Sequence, residues 1–151
     1  MANLTATRGA QEVLNASFVF NFDDQMVPAS GGTAISGTTR VDFGKTNIAA
    51  TVFNIINLPL DAVVVGGQLV VETAFDTASY AVTIGDTTST NRYLSTADRK
   101  AAALTALVPT GYRTIGEPIV IGITNADVCT TGKATVRLQY VIHGRNTTNA
   151  V

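Results

Sequence analysis

The chain has no tryptophan, one histidine and one cysteine, and only 14% of its 151 residues carry charge. Each shortage excludes something. A structural zinc site takes about four His or Cys ligands, more than this sequence owns. Cys129 has no second cysteine to pair with, so the fold neither needs nor signals an oxidising compartment. Without tryptophan, sugar-stacking platforms are scarce, and the acids are too dispersed for a glycosidase, which needs two carboxylates about 5–9 Å apart. Ten basic residues are scattered against eleven acidic ones, a net charge of −1. Direct nucleic-acid binding is therefore not expected, because displacing counterions from phosphates takes clustered Lys and Arg. No run approaches the ~18 apolar residues of a membrane span. The opening Met1-Ala2-Asn3-Leu4-Thr5-Ala6-Thr7-Arg8-Gly9 lacks a charged-then-apolar signal pattern, so synthesis in a cytoplasm is the expectation. Ordinary domains carry about 25% charged residues. A chain with so few, at 46% hydrophobic content, is expected to hide part of its outside against a partner.

What is abundant is β-branched. Thr, Val and Ile together supply about a third of the residues, a bias towards pleated sheet. Period-two patterns follow. Phe18, Phe20 and Phe22 share a face, and the loop Asp23 to Gly32 with its glycine-rich exit comes next. Val41 and Phe43 point inward from a short strand. Between 47 and 56 both alternating sets are largely apolar, so that strand is covered on both faces or lies at an interface. The span 63–75 continues as sheet, kinked at Gly66-Gly67, where a bulge or corner is expected. Tyr80, Val82 and Ile84 form the next stripe. Ser95-Thr96-Ala97-Asp98 has the form of a helix N-cap, and Ala101, Leu104, Leu107 and Val108 follow at helical spacing before Pro109-Thr110-Gly111. That pattern predicts one short helix near 96–107. Ile119, Ile121 and Ile123 make one final stripe, and Ala134, Val136, Leu138, Tyr140 and Ile142 another.

About eight short strands, turns between them and no internal repeat predict an all-β protein. The long breaks at 23–38 and 86–118 let strands cross between layers, which favours a jelly-roll or Greek-key β-sandwich. One domain is expected over 16–144, with an N-terminal arm at 1–15 and a loose tail at 145–151.

Candidate chemistry is sparse. His143 reads as an exposed or interfacial strand-end residue, since no nucleophile is placed to use it. Cys129, with no flanking base or cationic cluster, reads as an inert thiol. Asp23-Asp24, and Asp76 with Asp86, lack the alternating carboxylates of a calcium loop and read as turn formers. Gly31-Gly32 and Gly66-Gly67 have no strand–loop–helix context and no following Lys, so they are not phosphate cradles. No catalytic residue, metal or cofactor is expected.

One succession has a familiar order: Leu58-Pro59-Leu60-Asp61-Ala62-Val63-Val64, then Gly66-Gly67-Gln68-Leu69-Val70-Val71-Glu72-Thr73-Ala74-Phe75-Asp76, then Ile84-Gly85-Asp86, Asn91-Arg92-Tyr93-Leu94 and Pro109-Thr110-Gly111-Tyr112. It resembles virion proteins of tailed bacteriophages, in particular jelly-roll proteins that decorate or cement the capsid shell. The likeness spans about half the chain, with the terminal strand 135–142 in addition. It implies a structural protein on the capsid exterior, made in the host cytoplasm. Its implied partners are the major capsid protein and further copies of itself, as a dimer or trimer. Tail or fibre components share such sequences. A carbohydrate-binding sandwich using Tyr80, Tyr93 or Tyr112 is the alternative from another class.

Contact residues are proposed on apolarity alone. Met26 and Val27 are apolar within a polar loop. Leu4 lies in the arm, which either adds a strand to a neighbour's open edge or frays. Phe53 and Ile55 belong either to a self-association surface or to the sandwich core, and the core has first claim on them.

Overall fold

The structure, a computed structural model, describes residues 12–29 and 40–144. Ten strands form among them: β1 (Leu14–Asn21), β2 (Gln25–Met26), β3 (Val41–Asp42), β4 (Thr51–Asn57), β5 (Ala62–Thr73), β6 (Tyr80–Asp86), β7 (Leu94–Asp98), β8 (Ala103–Ala106), β9 (Pro118–Asn125) and β10 (Lys133–Ile142). They make two four-stranded sheets, β1-β10-β5-β8 and β4-β9-β6-β7, and a two-stranded ribbon of β2 and β3. Leu4 and the tail 145–151 lie outside the described residues, while Leu14 and Asn15, assigned to the arm on sequence, already belong to β1.

With the ribbon set aside, the eight remaining strands nest. The first pairs with the last (β1·β10), the second with the seventh (β4·β9), the third with the sixth (β5·β8) and the fourth with the fifth (β6·β7), all antiparallel. A long hairpin rolled over on itself gives this order, and it is the jelly-roll form of the β-sandwich.

Alternation sorts the side chains between core and solvent. Phe20, Leu69, Val71, Ala134, Val136 and Leu138 from one sheet meet Phe53, Ile56, Val82, Ile84, Ile119, Ile121 and Ile123 from the other, and all are buried. Aromatic rings fill one end. Phe43 lies 4.9 Å from Phe20 and 4.5 Å from Phe53, and Phe75 stacks on Tyr80 at 3.8 Å and 6°. The pairing of β4 with β9 skips between Asn54 and Ile56. This bulge brings both Phe53 and Ile56 inward, and it accounts for two apolar sets in one strand. A second register shift, where Gln139 and Tyr140 oppose Gly66 and Val64, marks the kink expected in β5.

The helix expected near 96–107 is absent, and two strands stand in its place. β7 pairs with β6 and β8 with β5, on different sheets, and the turn at 99–102 carries the chain across. The Asp98 carboxylate, which had the look of an early-helix acid, instead accepts the Tyr80 and Lys100 N–H groups at 3.0 and 3.1 Å. Of the helically spaced residues, Leu107 is buried, whereas Leu104 and Val108 are 61% and 64% exposed. A helix there would have had no continuous apolar stripe to bury, and strand pairing prevailed.

The strands leave two loop clusters. Loops 22–24, 43–50, 74–79, 99–102 and 126–132 gather at the ring-filled end, and loops 58–61, 87–93 and 107–117 gather at the opposite end.

Candidate functional site

At the ring-filled end, polar side chains, Asp42 and Asn125 buried and Asp76 exposed, pin loops that have no ladder of their own. Asp42 accepts the Gly44 and Thr46 N–H groups at 3.1 and 2.8 Å. Asn125 accepts the Ile48 N–H at 2.6 Å and donates to the Gly44, Thr46 and Asp127 carbonyls. The Asp76 carboxylate takes the Thr130 hydroxyl, the Thr130 N–H at 2.7 Å and the Thr131 N–H at 3.0 Å. Those bonds, the Thr130 hydroxyl first, hold its pKa down at about 2.

The opposite end carries a denser network. Asp86 accepts Thr88 and Ser89 N–H groups and pairs with Arg92. The Arg92 guanidinium covers the Tyr112 ring at 3.6 Å. Tyr112 in turn donates to Glu117 at 2.9 Å, and Thr88, Thr114 and the Ile115 N–H donate to the same carboxylate at 2.6, 2.7 and 3.0 Å. Burial pushes the Glu117 carboxyl up, but these donors outweigh it and bring the pKa to about 2. Burial, with Asp86 nearby, lifts Tyr93 to about 12. The 87–93 loop also closes over the outer face of β6, where a Cβ on Gly85 would stand 2.0 Å from the Ser89 carbonyl oxygen.

Among the described residues neither end brings a nucleophile and a base together. His143 is exposed, with Nδ1 at 3.3 Å from Arg113, and Arg113 is bonded to Asp61 at 2.6 Å. Among the described residues no hydroxyl or thiol is bonded to that trio. Cys129 is buried, and burial raises its pKa. Asp76 and Asp86 stand at opposite ends of β6, each taken by donors, and Asp24 accepts the Asn21 N–H at 2.7 Å. Among the described residues no cluster of three or more His, Cys, Asp or Glu could hold a metal. Tyr80 and Tyr93 are buried, and Tyr112 lies under Arg92, so these three offer no open sugar platform.

The contact residues proposed from sequence scatter. Phe53 is fully buried and has no surface to give a neighbour, because the bulge turns it to the core. Ile55 is half-buried at that bulge. Met26, also half-buried, packs against the core from β2, while Val27 beside it is exposed. The sequence reading missed Glu117, which no motif flagged. It quoted Asp86, Arg92 and Tyr112 within one succession, but gave no hint that they converge.

What remains is outer surface. On the sheet β4-β9-β6-β7, a depression of about 260 Å³ above Gly122 is lined by small uncharged residues, among them Ala50, Ala81, Thr83, Thr96 and Thr124. At the end of the sandwich, Leu60 and Ile115 are 62% and 73% exposed on the ladder where Asp61 donates to the Thr114 carbonyl.

No family model matches the chain, and no curated protein matches it by sequence. Solved structures do. A chain of the cyanophage Pam1 capsid asymmetric unit superposes with a TM-score of 0.56 at 18% identity, over 94% of this chain and 91% of that one. A chain of the capsid of Ralstonia phage GP4 does so with 0.51 at 13%, over 94% and 91%. A third, from the acidic stable capsid structure of Helicobacter pylori bacteriophage KHP30, reaches only 0.49 at 20% identity, over 85% and 92%, and carries no weight. At such identities the first two likenesses establish a shared fold over nearly the whole of both chains.

Proposed function

We propose that this chain is a virion structural protein that binds the outer surface of a phage capsid and cements neighbouring capsomers after shell expansion. The observation that carries this reading is the near full-length fold shared with chains of two phage capsid assemblies. It is supported by a described surface rich in small uncharged and apolar residues and by polar networks spent on holding loops in place. A protein that binds only the mature lattice stabilises it through its differential affinity for that state. Each copy needs no more than an ordinary interface of about 1,600 Å². Bridging two capsomers raises the effective concentration of the second contact, so modest contacts become durable.

The test is co-sedimentation of the purified protein with expanded empty shells of the same virus and with their unexpanded precursors. Binding to expanded shells alone, with a rise in their heat resistance, is expected. Equal binding to both, or binding only to tails, would sink the cement mechanism.

A further inference from the structure

The outer face of the sheet β1-β10-β5-β8 has an order that single residues do not reveal. Val19 opposes Thr135, Thr135 opposes Val70, and Val70 opposes Leu104, so one unbroken row of methyl-bearing side chains crosses all four strands. Its two outer members, Val19 and Leu104, are 52% and 61% exposed. On one side of this row lies Ser17, Arg137, Gln68 and Ala106. On the other side lies the ion pair of Lys133 and Glu72, 2.9 Å apart and open to solvent. Both cations sit on β10, and the acid sits on β5.

We infer that this face receives a second copy of the chain, related by a two-fold axis running along the strands between β10 and β5. That operation lays β10 of one copy over β5 of the other and β1 over β8, an aligned face-to-face packing of sheets. Every row then meets a complementary row. Val19 meets the partner's Leu104 and Arg137 meets the partner's Gln68, while half-buried Val70 lies over the partner's Thr135, which its own chain already buries. Lys133 meets the partner's Glu72, so each charge gains a second neighbour of opposite sign. The other in-plane axis, along the methyl row, would set Arg137 against the partner's Lys133, and like charges reject it. The inference stands on this face alone and does not depend on the capsid reading.

Two thiols read it out. Within one chain Val19 and Leu104 lie on opposite edges of the sheet, three strand spacings or about 14 Å apart, whereas facing sheets stand about 10 Å apart. A short bifunctional methanethiosulfonate whose reach lies between those two spans therefore links the thiols of Val19→Cys with Leu104→Cys only between copies, and Cys129 is buried away from it. Expected are a wild-type dimer by sedimentation, a covalent dimer of the double-cysteine protein with that reagent, and monomers for Leu104→Lys with an unchanged circular dichroism spectrum. Lys133→Glu should weaken the dimer at least tenfold, and adding Glu72→Lys should restore it. A monomeric wild type, or an oligomer that neither cross-links through these thiols nor responds to Leu104→Lys, overturns the inference. A monomer whose Leu104→Lys variant loses binding to shells overturns it too, and assigns the face to the shell.

Discussion

The guanidinium of Arg92 lies over the Tyr112 ring while its Nε bonds Asp86, so one side chain ties the 87–93 loop to the 107–117 loop. The Tyr112 hydroxyl carries the link on to Glu117. Removing only that hydroxyl, in Tyr112→Phe, keeps the cation–π contact and leaves Glu117 three other donors; the expected cost is about 1–2 kcal/mol. Tyr112→Ala also strips the ring from beneath the cation and should cost about 1 kcal/mol more. Urea unfolding at neutral pH measures both. Equal losses for the two variants would mean that the stacked ring contributes nothing.

Leu107 and Val108 are neighbours with opposite fates, and they report on the crossing that replaces the expected helix. Leu107, whose N–H donates to the Gly67 carbonyl at 3.0 Å, is buried, and Val108 faces solvent. Leu107→Ala should cost about 2–5 kcal/mol. Val108→Ala should stay within about 0.5 kcal/mol. Comparable losses for both would indicate a shared buried stripe, which the strand arrangement forbids.

The core was legible because it is written in period two: the stripes Phe18 to Phe22, Tyr80 to Ile84, Ile119 to Ile123 and Ala134 to Leu138 all turn inward as read, with only their outer members part-exposed. Two kinds of information were not in that alphabet. One is register. Val19, Val70 and Leu104 look like isolated outward residues until pairing sets them in a row, and Phe53 with Ile56 looks like a broken alternation until the bulge is known. The other is convergence of loops. Asp86, Tyr112 and Glu117 are far apart in sequence, and only the nesting of strands brings their loops to one end. The false helix came from alanines and leucines whose spacing fits a helix, in a segment whose partners are strands on two different sheets.

Gly132 precedes β10 with a φ of +147°, and a Cβ there would lie 2.1 Å from the Phe75 ring. Phe75 cannot retreat easily, since it is stacked on Tyr80. Gly132→Ala is therefore expected to cost at least about 2 kcal/mol, from backbone strain and overpacking together. A thermal melt decides it: a midpoint within a degree of wild type would show that the ring yields freely.

Acid should loosen both ends of the sandwich, in a window set by two carboxylates. Glu117 and Asp76 each hold a pKa of about 2 in the fold, against about 4.3 and 3.9 in an unfolded chain. A depressed folded pKa means that the unfolded state binds protons first as pH falls. The stabilisation these groups confer is thus complete above about pH 5 and drains away between there and about pH 2. Glu117→Gln keeps the shape but removes the charge from its hydrogen bonds, and should cost about 2 kcal/mol at neutral pH. The gap between wild type and Glu117→Gln, followed by urea midpoint, should then shrink steadily below about pH 5 as protonation makes the native carboxyl neutral too. Asp76→Asn should flatten the same limb, since its donors are the Thr130 and Thr131 groups at the far end. A gap that stays constant down to about pH 2 would mean that the Glu117 carboxylate is not held by its four donors, and that the loops at this end are fixed by packing alone.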